Sequence, residues 1–236
     1  MTHNKKEMSI WQHLEELRKR LLYSLVALMV GVIISIVFAD YLIELLASPI
    51  GGLEALQSIE VTENIAVYFR VTMLSGFVMA FPFILVQLLL FVLPGLKKEE
   101  RKWIYWAIPI ATLLFVSGAV FAYLVMLPVA IPFLVEFPGP EVLPKWKDYV
   151  DFVTSLIFWI GISFETPLIM YVLAKLGIIN AKGLLRQWRI AVIVIAVIAA
   201  VATPTPDPIN MAILMVPLLI LYLLGILLAA LAQQKS

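Results

Sequence analysis

The first chemical possibilities of this chain lie in acidic side chains found in two settings. The doublets Glu15–Glu16 and Glu99–Glu100 sit among basic residues in "HLEELRKRLL" (13–22) and "LPGLKKEERK" (93–102). A lone acid, Glu165, stands in "WIGISFETPLIMYVL" (159–173), a stretch otherwise apolar enough to enter a bilayer. Carboxylates gathered at one surface suit a basic ligand, because a guanidinium binds a carboxylate through two parallel hydrogen bonds. Local ion pairing is the simpler reading of the doublets. Glu15 precedes Lys19 and Glu16 precedes Arg20, the favourable order for i,i+4 pairs.

Glu165 poses a different problem. An acid at a helix centre in the bilayer costs about 2.5–3.5 kcal/mol on insertion scales, so such residues mark function by default. Pro167 lacks the N–H that would bond the carbonyl of Ser163. Ser163, Glu165, Thr166 and a freed carbonyl therefore gather polar potential at one depth. Two readings remain open: a functional acid, or a carboxyl hydrogen-bonded to a neighbouring helix as packing glue.

Enzyme templates are missing from the sequence. There is no Walker A motif and no H-E-x-x-H, and both histidines, His3 and His13, lie outside the apolar runs. The absence of cysteine removes disulfides, thiolate catalysis and Cys-based metal sites. No catalytic residue, metal site, cofactor or nucleic-acid partner is expected.

The elements that must position these acids are membrane helices. The chain has 236 residues, 63% of them hydrophobic and 14% charged, against about 25% charged in soluble domains. Its mean hydropathy is +1.02. Uncharged runs cover 21–39, 71–96, 103–135, 190–206 and 208–234, and a sixth span near 149–174 is interrupted by Asp151 and Glu165. A helix crossing a bilayer needs roughly 20 such residues. We therefore expect an all-α polytopic protein with one integral membrane domain over 1–236. Its six spans fall at about 21–39, 66–92, 103–127, 149–174, 190–203 and 210–230. No cleavable signal peptide is evident, and the run from Leu21 reads as a true first span.

Charge sets the orientation. Fourteen of the 17 lysines and arginines lie in the N-terminal segment, the second and fourth loops and the C-terminus. The first loop (40–64) carries five acids and no base, and the third has only Lys145 and Lys147. The positive-inside rule places both termini in the cytoplasm. Aromatic belts agree: Trp103, Tyr105 and Trp106 open span three, Trp146 and Tyr149 span four, and Trp188 span five.

Residues 1–20 read as a cytoplasmic segment whose helix opens at Ser9, with Ser9 and Gln12 at capping-box spacing. Its apolar stripe is Ile10, Leu14, Leu17 and Leu21. Span five, from Ile190 to the helix-stopping "TPTPDP" (203–208), reaches only about 21 Å against a core of about 30 Å. Prolines in other spans imply bent helices around a hollow. No internal repeat is visible, which weighs against the inverted-repeat design of many transporters. Arg70 either snorkels outward or approaches an acid such as Asp207, itself the polar tip of a rigid turn on physical grounds alone.

Together these motifs resemble the TatC family, the multispanning core subunit of the twin-arginine protein translocase. The resemblance runs nearly end to end. It rests on "HLEELRKRLL", "LPGLKKEERK", "FETP" (164–167) and "TPTPDPINMAILMVPLLILYLLGILLA" (203–229), in that order. It implies a non-enzymatic receptor in the cytoplasmic (inner) membrane that exports folded proteins on the proton gradient. The implied ligand is the pair of consecutive arginines in twin-arginine signal peptides, bound at Glu16 and Glu100, with Glu15 and Glu99 as doublet neighbours. It also implies the single-span partners TatA and TatB, docked at Glu165, Asp207, Met211 and the last two spans, and assembly with further copies of the chain in the lipid bilayer. Two other classes stay open: a proton-coupled solute transporter using Glu165, and a scaffold that binds membrane partners but no exported substrate.

Overall fold

The computed structural model describes residues 10–92, 101–135, 144–203 and 208–234. Helix α1 (Ile10–Val37) leads into a short amphipathic α2 (Ala39–Ala47). Next come α3 (Glu63–Val92) and α4 (Arg101–Phe121), which continues through a π-helical stretch, Ala122–Met126, into α5 (Leu127–Val135). The fourth rod is α6 (Trp146–Ser163) and α7 (Thr166–Lys175), and a small α8 (Ala181–Arg186) follows it. The last hairpin is α9 (Trp188–Ala202) and α10 (Pro208–Gln234). Among the described residues no strand forms, only an isolated bridge between Gln57 and Lys145. Helix is the expected outcome in lipid, where each backbone polar group needs a partner within its own segment.

Among the described residues, five rods are long and apolar enough to cross a membrane: Trp11–Val37, Glu63–Val92, Trp106–Val135, Trp146–Lys175 and Pro208–Gln233. The third runs past the expected end near residue 127. Its π-helical stretch stands just before Pro128, whose missing N–H breaks the i→i−4 register there. The sixth, α9, has 15 residues, about 22 Å of helix.

The rods pack as successive neighbours. Helix α1 lies on α3, α3 and α4 both lie on α6, and α10 lies on α7 and carries α9. Close approach depends on glycine at two crossings. A Cβ on Gly76 of α3 would stand 2.6 Å from the Val32 nitrogen of α1. A Cβ on Gly161 of α6 would stand 2.8 Å from a ring carbon of Phe115 in α4. Beside the second crossing, Phe81 stacks on Phe115 at 3.9 Å between centroids, and Phe77 meets Phe158 at 5.2 Å. Both faces of α3 and α6 are thereby locked, which fixes the depth of everything they carry.

Each end of the bundle is pinned by polar ties to backbone. On the outer side, Tyr149 and Tyr123 donate to the Leu46 and Leu45 carbonyls at 2.8 Å, holding α2. Buried Glu63 accepts from the Ile59 N–H at 2.9 Å. Gly51 and Gly52 turn the chain after α2 with φ near +100° (101° and 99°), a left-handed region that favours glycine. On the cytoplasmic side, Lys175 donates to the Ala232 carbonyl at 3.3 Å, and Tyr222 donates to the Leu184 carbonyl at 2.7 Å. These ties fasten the fourth loop to α10.

Candidate functional site

The N-terminal doublet divides into two unlike acids. Glu15 is exposed, whereas Glu16 sits against α3. Its Oε1 accepts from Arg20 Nε at 2.7 Å and lies 2.6 Å from Nη2, each side chain being 23% exposed. Nη1 of Arg20 reaches across to buried Gln87 Oε1 at 3.0 Å. One turn back, the His13 ring stacks on Phe91 at 4.3 Å. The i,i+4 pairing read from the sequence for Glu16 and Arg20 is thus present, and it does more than stabilise one helix: it anchors α1 on α3. Gln87 was not singled out in the sequence, although it is the one amide in the uncharged run 71–96. Glu99 and Glu100 lie outside the described residues.

Glu165 stands where the fourth rod breaks. Its N–H bonds the Ile162 carbonyl at 3.0 Å in a tightened turn, and its own carbonyl accepts from Ile169 at 2.9 Å to restart the helix. Pro167 lies in the first turn of α7, so the missing donor read from the sequence coincides with a real interruption. The side chain is 6% exposed and its Oε1 finds no donor among the described residues. Next to it, Phe164 packs on Gly118 of α4 and against Phe121 at 5.5 Å. The acid therefore faces protein, not lipid. Leaving a buried acceptor unsatisfied costs roughly 1–3 kcal/mol, so its presence calls for a reason beyond the fold of this chain.

Arg70 takes the second alternative, approaching an acid on another helix, and the acid is Asp151 of α6. Its Nε lies 3.3 Å from Asp151 Oδ1 and donates to Thr154 Oγ1 at 3.0 Å, while Nη2 donates to Ser155 Oγ at 2.9 Å. All three acceptors are on α6, spaced to share one face, and that spacing was the available signal. Asp207 lies outside the described residues. Met211, on α10, is half-buried and packs against the main apolar core.

Two grooves flank these residues. One of about 340 Å³ lies between α1, α3 and α6, with Arg70, Thr154 and Ser155 on its wall. Another of about 400 Å³ lies between α7, α9 and α10. Neither is lined by Glu165. Among the described residues no cluster of His, Asp and Glu could hold a metal ion.

A family profile described as "Sec-independent protein translocase protein (TatC)" matches residues 12–217. The chain belongs to the TatC family. A relative of that name from Carboxydothermus hydrogenoformans is 37% identical over 234 residues, covering 98% of this chain and 96% of its own. Another from Deinococcus radiodurans is 38% identical over 229 residues, covering 93% and 85%. The crystal structure of a twin-arginine translocase receptor TatC superposes with a TM-score of 0.85 at 34% identity, covering 94% of this chain and 99% of that one. As a TatC-family chain, this is a multi-pass protein of the cytoplasmic membrane and a component of protein transport. The all-helical polytopic fold and the family resemblance expected from the sequence are both borne out.

Proposed function

We propose that the chain is the membrane receptor for twin-arginine signal peptides, working with TatA and TatB to export folded proteins on the proton gradient. The observation that carries this reading is the state of Glu16. Arg20 holds one carboxylate oxygen and Gln87 holds Arg20, so the group is fixed in orientation. In this reading its second oxygen takes the incoming donor. A planar, always-charged guanidinium suits such a fixed acceptor better than an ammonium does. Glu100, by its place in the second-loop motif, supplies the acid for the second arginine, and Glu15 and Glu99 add negative charge beside the pair.

Glu165 acts in this reading as a contact for a partner helix, together with Asp207, Met211 and the last hairpin. Its buried, donor-poor oxygen is the acceptor that a polar group of the partner satisfies. Because α4 covers the acid, docking there requires α4 to part locally from the break between α6 and α7. Enclosure also argues against the solute-transporter reading, which needs an acid facing a substrate space.

Binding of a labelled twin-arginine peptide to the purified protein tests the receptor reading. Charge-assisted hydrogen bonds contribute about 1.5–3 kcal/mol, so Glu16→Ala and Glu100→Ala should each weaken binding roughly ten- to a hundredfold. Unchanged affinity in both variants would overturn the two-acid receptor.

A further inference from the structure

Arg70 gives the groove between α1, α3 and α6 one polar end. Both α3 and α6 run inward from the outer face, and Arg70, Thr154 and Ser155 are the outermost residues they contribute to this groove of about 340 Å³. Deeper in, its walls are apolar, with Leu28, Phe77 and Trp159 among them. A guanidinium carries five N–H donors in a rigid fork. Two of these go to Thr154 and Ser155, and the side chain stays 47% exposed. Depth matters as much as lining. Helix α3 has 30 residues, about 45 Å of helix, against a hydrocarbon core of about 30 Å. Placed symmetrically, it overhangs that core by about 7 Å at each end. Arg70 lies about two turns in from Glu63, roughly 10 Å, and so stands just inside the outer boundary between headgroups and acyl chains.

We propose that this groove holds one phospholipid of the outer leaflet, its phosphate on the Arg70 guanidinium and one acyl chain running inward toward Phe77 and Trp159. Charge complementarity sets the outer end, because a guanidinium fork matches two phosphate oxygens at once. Asp151, 3.3 Å from Arg70 Nε, holds that fork in orientation and offsets its charge. The lipid is therefore chosen by its phosphodiester at the right depth, not by a net negative charge. Shape sets the inner end. From Arg70 to Phe77 the groove follows α3 for about 10 Å, so its volume corresponds to a cross-section of roughly 35 Å². A transmembrane helix, about 10 Å across, needs more than twice that section, whereas an acyl chain does not. An extended peptide would turn its N–H and C=O groups toward apolar walls that offer them no partners. A purely structural tie between α3 and α6 would need neither a half-exposed guanidinium nor an apolar channel leading from it; the two occur on one wall.

Native mass spectrometry of the full chain in detergent tests this, with phosphatidylcholine and diacylglycerol of identical acyl chains as the probes. Phosphatidylcholine has no net charge, so the basic cytoplasmic loops do not collect it by attraction alone. The expected result is one phosphatidylcholine retained per chain, at least tenfold over diacylglycerol. Arg70→Gln should abolish that preference. Asp151→Asn loosens the same tie to α6 but keeps the guanidinium, and should leave the preference intact. Leu28→Trp and Met73→Trp, which fill the groove and keep Arg70, should each reduce retention of phosphatidylcholine. Equal retention of the two lipids by the unmodified chain would overturn the site, as would a preference that persists in Arg70→Gln or in both groove-filling variants. Loss in Asp151→Asn as complete as in Arg70→Gln would also overturn it, because Arg70 would then act only by holding α3 to α6.

Discussion

At the scale of single residues, buried or bilayer-level polar groups decide what this chain does beyond folding. Glu165 has a backbone role at the break in the fourth rod, but its Oε1 has no donor among the described residues. Replacing an unsatisfied polar group by an apolar one of similar shape is close to neutral for stability. We therefore expect Glu165→Leu to unfold within about 1 kcal/mol of the parent in detergent, yet to lose copurification of the single-span partner. Glu165→Gln, which keeps an acceptor, should retain the partner; equal losses in both variants would assign the role to the charge itself. Arg70 presents the opposite case, since its guanidinium is engaged by Asp151, Thr154 and Ser155. Polar ties between membrane helices measure about 0.6–2 kcal/mol. Arg70→Ala should destabilise the fold by about 1–2 kcal/mol, and Asp151→Asn by less, because the hydroxyl acceptors remain. A double-mutant cycle with no coupling between positions 70 and 151 would contradict that pairing. The sequence showed the acids and the lone Arg70 but not their partners, because a single chain does not reveal which helix faces which. Gln87 was passed over because an uncharged amide in an apolar run carries no periodic signal.

At the scale of elements, the helices were legible and their junctions much less so. Long uncharged runs and flanking aromatics are signals of composition, and composition largely decides helix in a bilayer. The interruption at Glu165 was legible too, because Pro167 removes one identifiable donor. The uncharged run 103–135 already reached Val135, but helix continuing through Pro128 was not legible, since a π-helical stretch depends on how the chain shifts register there. Glycine crossings were equally hidden: small residues permit close approach, but only the structure shows Gly76 against Val32 and Gly161 under Phe115. Gly76→Leu should force α1 away from α3 and cost about 1–3 kcal/mol or more. Because α1 carries Glu16 and Arg20 while α3 carries Gln87, the same variant should weaken signal-peptide binding without touching either acid. A Gly76→Leu protein with unchanged thermal stability in detergent would refute the close crossing.

At the scale of the whole molecule, roles divide along the membrane normal. Fixed carboxylate at the cytoplasmic surface, a buried acid where the fourth rod breaks, and an arginine tied to α6 nearer the outer face occupy separate depths. Charge asymmetry between loops gives this axis its direction, and so it was readable before any coordinates. The grooves were not, because they arise from helices of unequal length packed as successive neighbours. The central claim is recognition of paired guanidiniums, and one comparison reaches it most directly. Affinities of two synthetic signal peptides, identical except for Arg-Arg or Lys-Lys, should be measured against the purified protein with its single-span partners present. Guanidinium recognition at Glu16 predicts clearly tighter binding of Arg-Arg and loss of that preference in Glu16→Ala. Equal affinity for the two peptides, or a preference that persists in Glu16→Ala, would contradict it.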